Sequence, residues 1–142
     1  VTFVASPAQA RTEEPRPRDL VARFESCALP PWAFGHREHL FVAWAYLRAQ
    51  PFEEGAMRFV TQLKKFAAHH GATSKYHATI TWTLLHVLAE AIDENPHADF
   101  DALLAARPDL LDARGALLAL YDRDVLDSDR ARRVPLLPRT TR

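Results

Sequence analysis

Cysteine occurs once in this sequence, methionine once and glycine four times, among 142 residues. A lone thiol, Cys27, permits no disulfide within the chain and no cysteine zinc site. Its place in an apolar helical pattern with Leu20 and Phe24 reads as a buried thiol rather than a nucleophile. The glycines are isolated from one another, so there is no glycine-rich loop to cradle a phosphate. Net charge is missing too, because 18 Lys and Arg balance 18 Asp and Glu. Proteins that work by neutralising nucleic-acid phosphates carry a basic excess, so nucleic acid is not an expected partner. No apolar run reaches the roughly 18 residues of a membrane-spanning helix, so no membrane association is expected. The opening VTFVASPAQA ends in small residues but lacks a basic start and a long apolar core. It does not read as a secretion signal, and the expected compartment is the cytoplasm.

What is present has helical periodicity. The length fits one domain with a core that needs neither disulfides nor structural metal. Residues 1–16 show little periodicity and are expected to be a flexible lead-in, of which 1–14 should be removable with little loss of stability. A helical domain is expected over 17–138, with 139–142 as the chain end. The spacing predicts helices over 17–27, 36–50, 52–70 and 74–94, the last with Ser74 as N-cap. Shorter helices are expected over 100–106, 109–121 and 128–132, followed by an extended tail, VPLLPRTTR. Thr79, Ile80, Thr81 and Thr83 are β-branched and would suit a strand, but the length of the segment and the later TLLHVLAEAI favour helix. The expected fold is an all-α, single-domain bundle of five to six helices.

Histidines stand at the mouths of the two most apolar helices. His36 and His39, in FGHREHL, share a helix face that continues through Ala43. His77 follows in KYHATITW and leads an inward line through Leu84 and Leu88. If these two helices are neighbours, three imidazoles converge at one end of the bundle, a place where bundles build ligand sites. His36, His39 and His77 around an open position would suit one divalent transition metal, Zn²⁺, Cu²⁺ or Fe²⁺. The spacing H-x-x-H is not the H-E-x-x-H of zinc proteases. A metal-free pocket is the rival: His77 as acid or base, Tyr76 as a second proton donor, Lys75 as an anion clamp. Trp44, Trp82 and Thr81 are the expected substrate-binding residues, the tryptophans as aromatic walls. His69 and His70 read as caps of the third helix, His86 as a surface or interhelix residue, and His97 as a loop residue.

Three motifs together resemble a family of small bacterial helical proteins that has no assigned activity. They are F-x-H-x-x-H-L…A-W (Phe34, His36, His39, Leu40, Ala43, Trp44), K-Y-H-x-T-x-T (Lys75, Tyr76, His77, Thr79, Thr81) and L-x-x-Y…L-x-S-x-x-A-R (Leu118, Tyr121, Leu126, Ser128, Ala131, Arg132). The resemblance covers about residues 20–138. Its members often carry Glu after the Tyr-His pair, where this chain has Ala78, so a glutamate ligand or base at that place is lacking here. The third motif is expected to fold back over the bundle, bringing Tyr121, Arg123 or Arg132 near the pocket, or only to cover apolar surface.

The first functional expectation is a small-molecule enzyme, hydrolytic, oxidative or lyase, with a histidine pocket. The second is a non-catalytic metal- or ligand-binding module, a sensor or carrier. The third is a helical interaction protein that docks a partner through VPLLP. Oligomeric state is left open, a homodimer included.

Overall fold

The computed structural model describes residues 17–139, and the expected lead-in, 1–16, lies outside them. The described residues form eight α-helices. These are α1 (Pro17–Glu25), α2 (His36–Ala49), α3 (Phe52–His69), α4 (Ala78–Glu94), α5 (Phe100–Ala106), α6 (Ala113–Leu120), α7 (Arg123–Leu126) and α8 (Asp129–Arg133). Single 3₁₀ turns, at Pro31–Ala33, Thr73–Lys75 and Pro108–Leu111, join several of them. Among the described residues the only β-type pairing is an isolated bridge between Tyr121 and Arg139. The protein is all-α, and none of the described helices is long and apolar enough to cross a membrane.

The boundaries differ from the periodicity in instructive places. α1 stops at Glu25 rather than Cys27, because Cys27 takes a left-handed φ of 61°. That turn lets the Ala28 and Leu29 amides reach back to the Arg23 carbonyl at 2.9 and 3.1 Å, closing the helix in the manner of a glycine cap. Helix α4 begins at Ala78, and its N-cap is His77 rather than Ser74, which sits in the preceding 3₁₀ turn. The segment expected as one helix over 109–121 is broken at Asp112, whose carboxylate accepts from the Gly115 amide at 3.0 Å and so caps α6. The one-turn helix α7 has too few residues to show a period.

Helices α2, α3 and α4 contact one another and form the core, with α1 packed on α2 and α3. The sharp link at Pro51 brings α3 very near α2. A Cβ on Gly55 would lie 2.8 Å from the Tyr46 carbonyl oxygen, so only glycine fits there. At one end of the core the rings of Phe24, Phe34 and Phe66 pack together, with centroids 4.6–5.4 Å apart.

The chain from α6 onward folds back along α4 and builds a second apolar cluster from Leu117, Tyr121, Leu126, Ala131 and Leu136. Three buried polar side chains hold it there. His77 donates from Nε2 to the Leu126 carbonyl at 2.7 Å. Thr79 Oγ1 faces the Ala131 and Val134 carbonyls at 2.7 and 2.9 Å and accepts from the Leu136 amide at 3.1 Å. The Tyr121 hydroxyl donates to the Leu136 carbonyl at 2.7 Å and lies 3.1 Å from Thr83 Oγ1. At the rim, Arg132 donates to the Ser74 carbonyl at 3.1 Å. The bridge at Arg139 extends the ordered fold one residue past the expected domain end, and 140–142 lie outside the described residues.

Candidate functional site

Helix α2 opens after Gly35 with the side chains of His36 and His39 on one face. The 3₁₀ turn at 73–75 and the start of α4 deliver Lys75, Tyr76, His77 and Thr81 to the same place. Between them lies a cavity of about 550 Å³, within the range typical of small-molecule sites. Its wall includes His36, His39, Lys75, Tyr76, His77 and Thr81, six of the eight residues marked as site candidates by sequence. Its floor is apolar, with Leu40, Phe59, Leu63, Phe66, Leu84 and Leu88.

The histidines differ in what their nitrogens are doing. A carbonyl oxygen only accepts, so a ring nitrogen facing one carries the proton. His36 donates from Nε2 to the Leu110 carbonyl at 2.8 Å, and its neutral form keeps a lone pair on Nδ1. His39 donates from Nδ1 to the Gly35 carbonyl at 2.7 Å, which leaves Nε2 without a partner among the described residues. Its ring stacks on Phe34 with centroids 3.9 Å apart. Burial pushes the His39 pKa below its ordinary value, so the ring is neutral at neutral pH and Nε2 holds a lone pair. His77 has neither nitrogen to spare. Nε2 donates to Leu126, and Nδ1 accepts from the Ile80 amide at 3.2 Å as the cap of α4. The ring lines the cavity yet serves to fasten the C-terminal segment.

Tyr76 is half-buried, and burial raises its pKa, with the Trp82 indole opposing the shift in part. The phenol therefore keeps its proton and remains a donor. Lys75 stands exposed at the rim. Trp44 and Trp82 are not part of the wall. Trp44 is one position, about 100° of helix turn, beyond the cavity-facing Ala43. It packs instead on Phe41 and Phe100, both at 5.7 Å between centroids, beneath Arg48. Trp82 is displaced in the same way from Thr81 and packs against the main core. The aromatic side chains that line the cavity are Phe34, Phe59, Phe66 and Tyr76.

His70 is the C-cap of α3, as its place in the sequence suggests, but its ring lines the cavity rather than meeting solvent. Its Nε2 is buried with no hydrogen-bond partner among the described residues, and its ring lies 4.5 Å from that of Phe66. The signal was present: His70 continues the apolar line Phe59, Leu63, Phe66 at helical spacing. Among the described residues no three His, Cys, Asp or Glu side chains are grouped to hold a metal ion. Tyr121 and Arg132 belong to the fastening of the C-terminal segment and are not in the cavity wall. Arg123 is also outside that wall and opens α7. Of the three motifs, His36, His39, Lys75, Tyr76, His77 and Thr81 line the cavity, while Thr79, Tyr121 and Arg132 make the hydrogen bonds that fasten the C-terminal segment. Compared with known proteins, the chain matches no family model, no curated protein and no solved structure.

Proposed function

We propose that the cavity between α2, α3 and α4 is the active site of a small-molecule enzyme that moves protons, with His39 Nε2 as base and the Tyr76 hydroxyl as donor. The observation that carries this reading is the unequal use of the histidines around one apolar cavity. His77 is consumed by structure, whereas His39 is oriented by Gly35, neutral by burial and unengaged at Nε2. An imidazole held in that form is suited to general-base work. Thr81 and the phenylalanine walls would position the substrate, and Lys75 would hold a charged end.

The apolar majority of the lining favours a second reading, binding without chemistry by a sensor or carrier. A metal-dependent version would draw on His36 and His39, each of which gives one ring N–H to a carbonyl, as metal-ligating histidines do. His77 would have to release both of its bonds to join them. Elemental analysis of the purified chain decides between the metal and metal-free versions.

The experiment is a panel of small organic acids, ketones and alcohols incubated with the full chain in D₂O, scored by NMR for binding, deuterium uptake and product. The enzymatic reading expects at least one compound changed by the native protein and bound but unchanged with His39→Gln. Compounds that bind and never change would leave the carrier reading. No binding by any of them would remove the cavity as a site.

A further inference from the structure

The chemistry of the lining also specifies the ligand. Among the described residues that line the cavity, none is Asp or Glu. Its ionisable side chains are four histidines, Lys75 and Tyr76. Lys75 forms no ion pair within 4.0 Å among the described residues. The first turns of α2 and α4 both border the space, with the Gly35 amide of the one answered by the Glu38 carboxylate at 3.2 Å and the Ile80 amide of the other by His77 Nδ1 at 3.2 Å. The C-terminal end of α3 is there too, but the carbonyls of Phe66, Ala67 and Ala68 in its last turn are occupied. The Ala72 amide closes on Ala67 at 2.7 Å and the Gly71 amide on Ala68 at 3.2 Å, through a left-handed Gly71. One buried polar atom in the wall, His70 Nε2, lacks a partner.

From this we infer that the cavity takes a hydrophobic monocarboxylate, with the carboxylate at the Lys75 and histidine end and the hydrocarbon on the leucine and phenylalanine floor. The inference rests on the reading of the cavity as a ligand site. A cationic ligand would lose its hydration and meet no carboxylate, which is strongly unfavourable. A sugar or polyol would bury many hydroxyls against apolar side chains that cannot bond them. A doubly charged phosphate ester would call for more than the one fixed cation, Lys75. A carboxylate answers a single cation, and an apolar body answers the floor.

The test is calorimetric titration of the full chain at neutral pH with octanoate, 1-octanol and octylamine, repeated with Lys75→Gln and Ala67→Phe. Lys75 is exposed, so its variant folds normally; Ala67 lines the floor, and phenylalanine there fills it. Octanoate is expected to bind about tenfold tighter than octanol, and octylamine weakest. Lys75→Gln should remove about that tenfold from octanoate and leave octanol unchanged. Ala67→Phe should weaken both. Octanol or octylamine binding as tightly as octanoate would overturn anion selection and leave the cavity standing as a ligand site. Octanoate binding that ignores both substitutions lies elsewhere and overturns the inference. Absence of binding by octanoate and octanol alike would overturn both.

Discussion

Replacing Thr79 by valine should unfasten the C-terminal segment, and the structure gives the size of the effect. The Thr79 side chain is 0% exposed. Its hydroxyl bonds the buried Ala131 carbonyl and Leu136 amide and the part-buried Val134 carbonyl. Valine keeps the shape and removes the hydroxyl, so the packing stays and the polar groups lose their partner. Each buried group left unsatisfied costs about 1–3 kcal/mol. With one hydroxyl shared between two carbonyls, the net loss is about 2–4 kcal/mol. For a domain of this size that lowers Tm by roughly 6–16 °C. Calorimetry measures the global part of the change. Hydrogen exchange at the Leu136 amide measures the local part, because the segment can lift from α4 without the core unfolding. Exchange at Leu136 should accelerate at least as much as the global stability predicts. A Tm within a degree of the native protein, with Leu136 still protected, would refute the role given to Thr79.

Three further outcomes follow from single contacts. Gly55→Ala should destabilise by about 1–3 kcal/mol in urea unfolding despite alanine's better helix propensity, because the new methyl meets the Tyr46 carbonyl; an unchanged midpoint would mean that α2 and α3 are not so close. Tyr121→Phe should cost about 1–2 kcal/mol through loss of the bond to the Leu136 carbonyl, and should add less than its full effect to Thr79→Val, since both hold one residue. For pH, the folded chain binds a proton at His39 less readily than the unfolded chain, whose ordinary value is 6.5. Stability from this group is therefore full above 6.5 and falls as pH drops from there through the lower folded-state value; His39→Gln should flatten that fall in urea midpoints taken from neutral to mildly acid pH, and an identical slope would contradict the burial of His39.

The long helices were legible because their apolar positions repeat over several turns, and the convergence of His36, His39 and Lys75–His77 followed from the faces those residues share. The role of His77 was not legible. A ring that caps its own helix and bonds Leu126, 49 positions on, has the same local spacing as a ligand. Thr79 and Thr83 looked like strand residues for a similar reason. Their hydroxyls answer groups of a segment more than thirty positions away, backbone groups for Thr79 and the Tyr121 hydroxyl for Thr83, and periodicity carries no information about such pairings. The tryptophans were misplaced by a single helical step, enough to turn Trp44 from the cavity toward α5. His70 is the cap its position at the helix end suggests, and the same spacing from Phe59, Leu63 and Phe66 turns its ring into the cavity.

The central claim is that His36, His39 and His70 face one ligand cavity while His77 is committed to the fold. The most direct measurement is the ring-nitrogen NMR spectrum of all the histidines, recorded as octanoate is added to the full chain. His39 should begin with its proton on Nδ1 and His77 with its proton on Nε2, as their carbonyl partners require. On titration the ring nitrogens of His36, His39 and His70 should shift together and saturate. Those of His77, held at both nitrogens, and of exposed His97 should stay in place. Shifts of equal size at His77 and His97, or none at His39 when octanoate is in large excess, would contradict it.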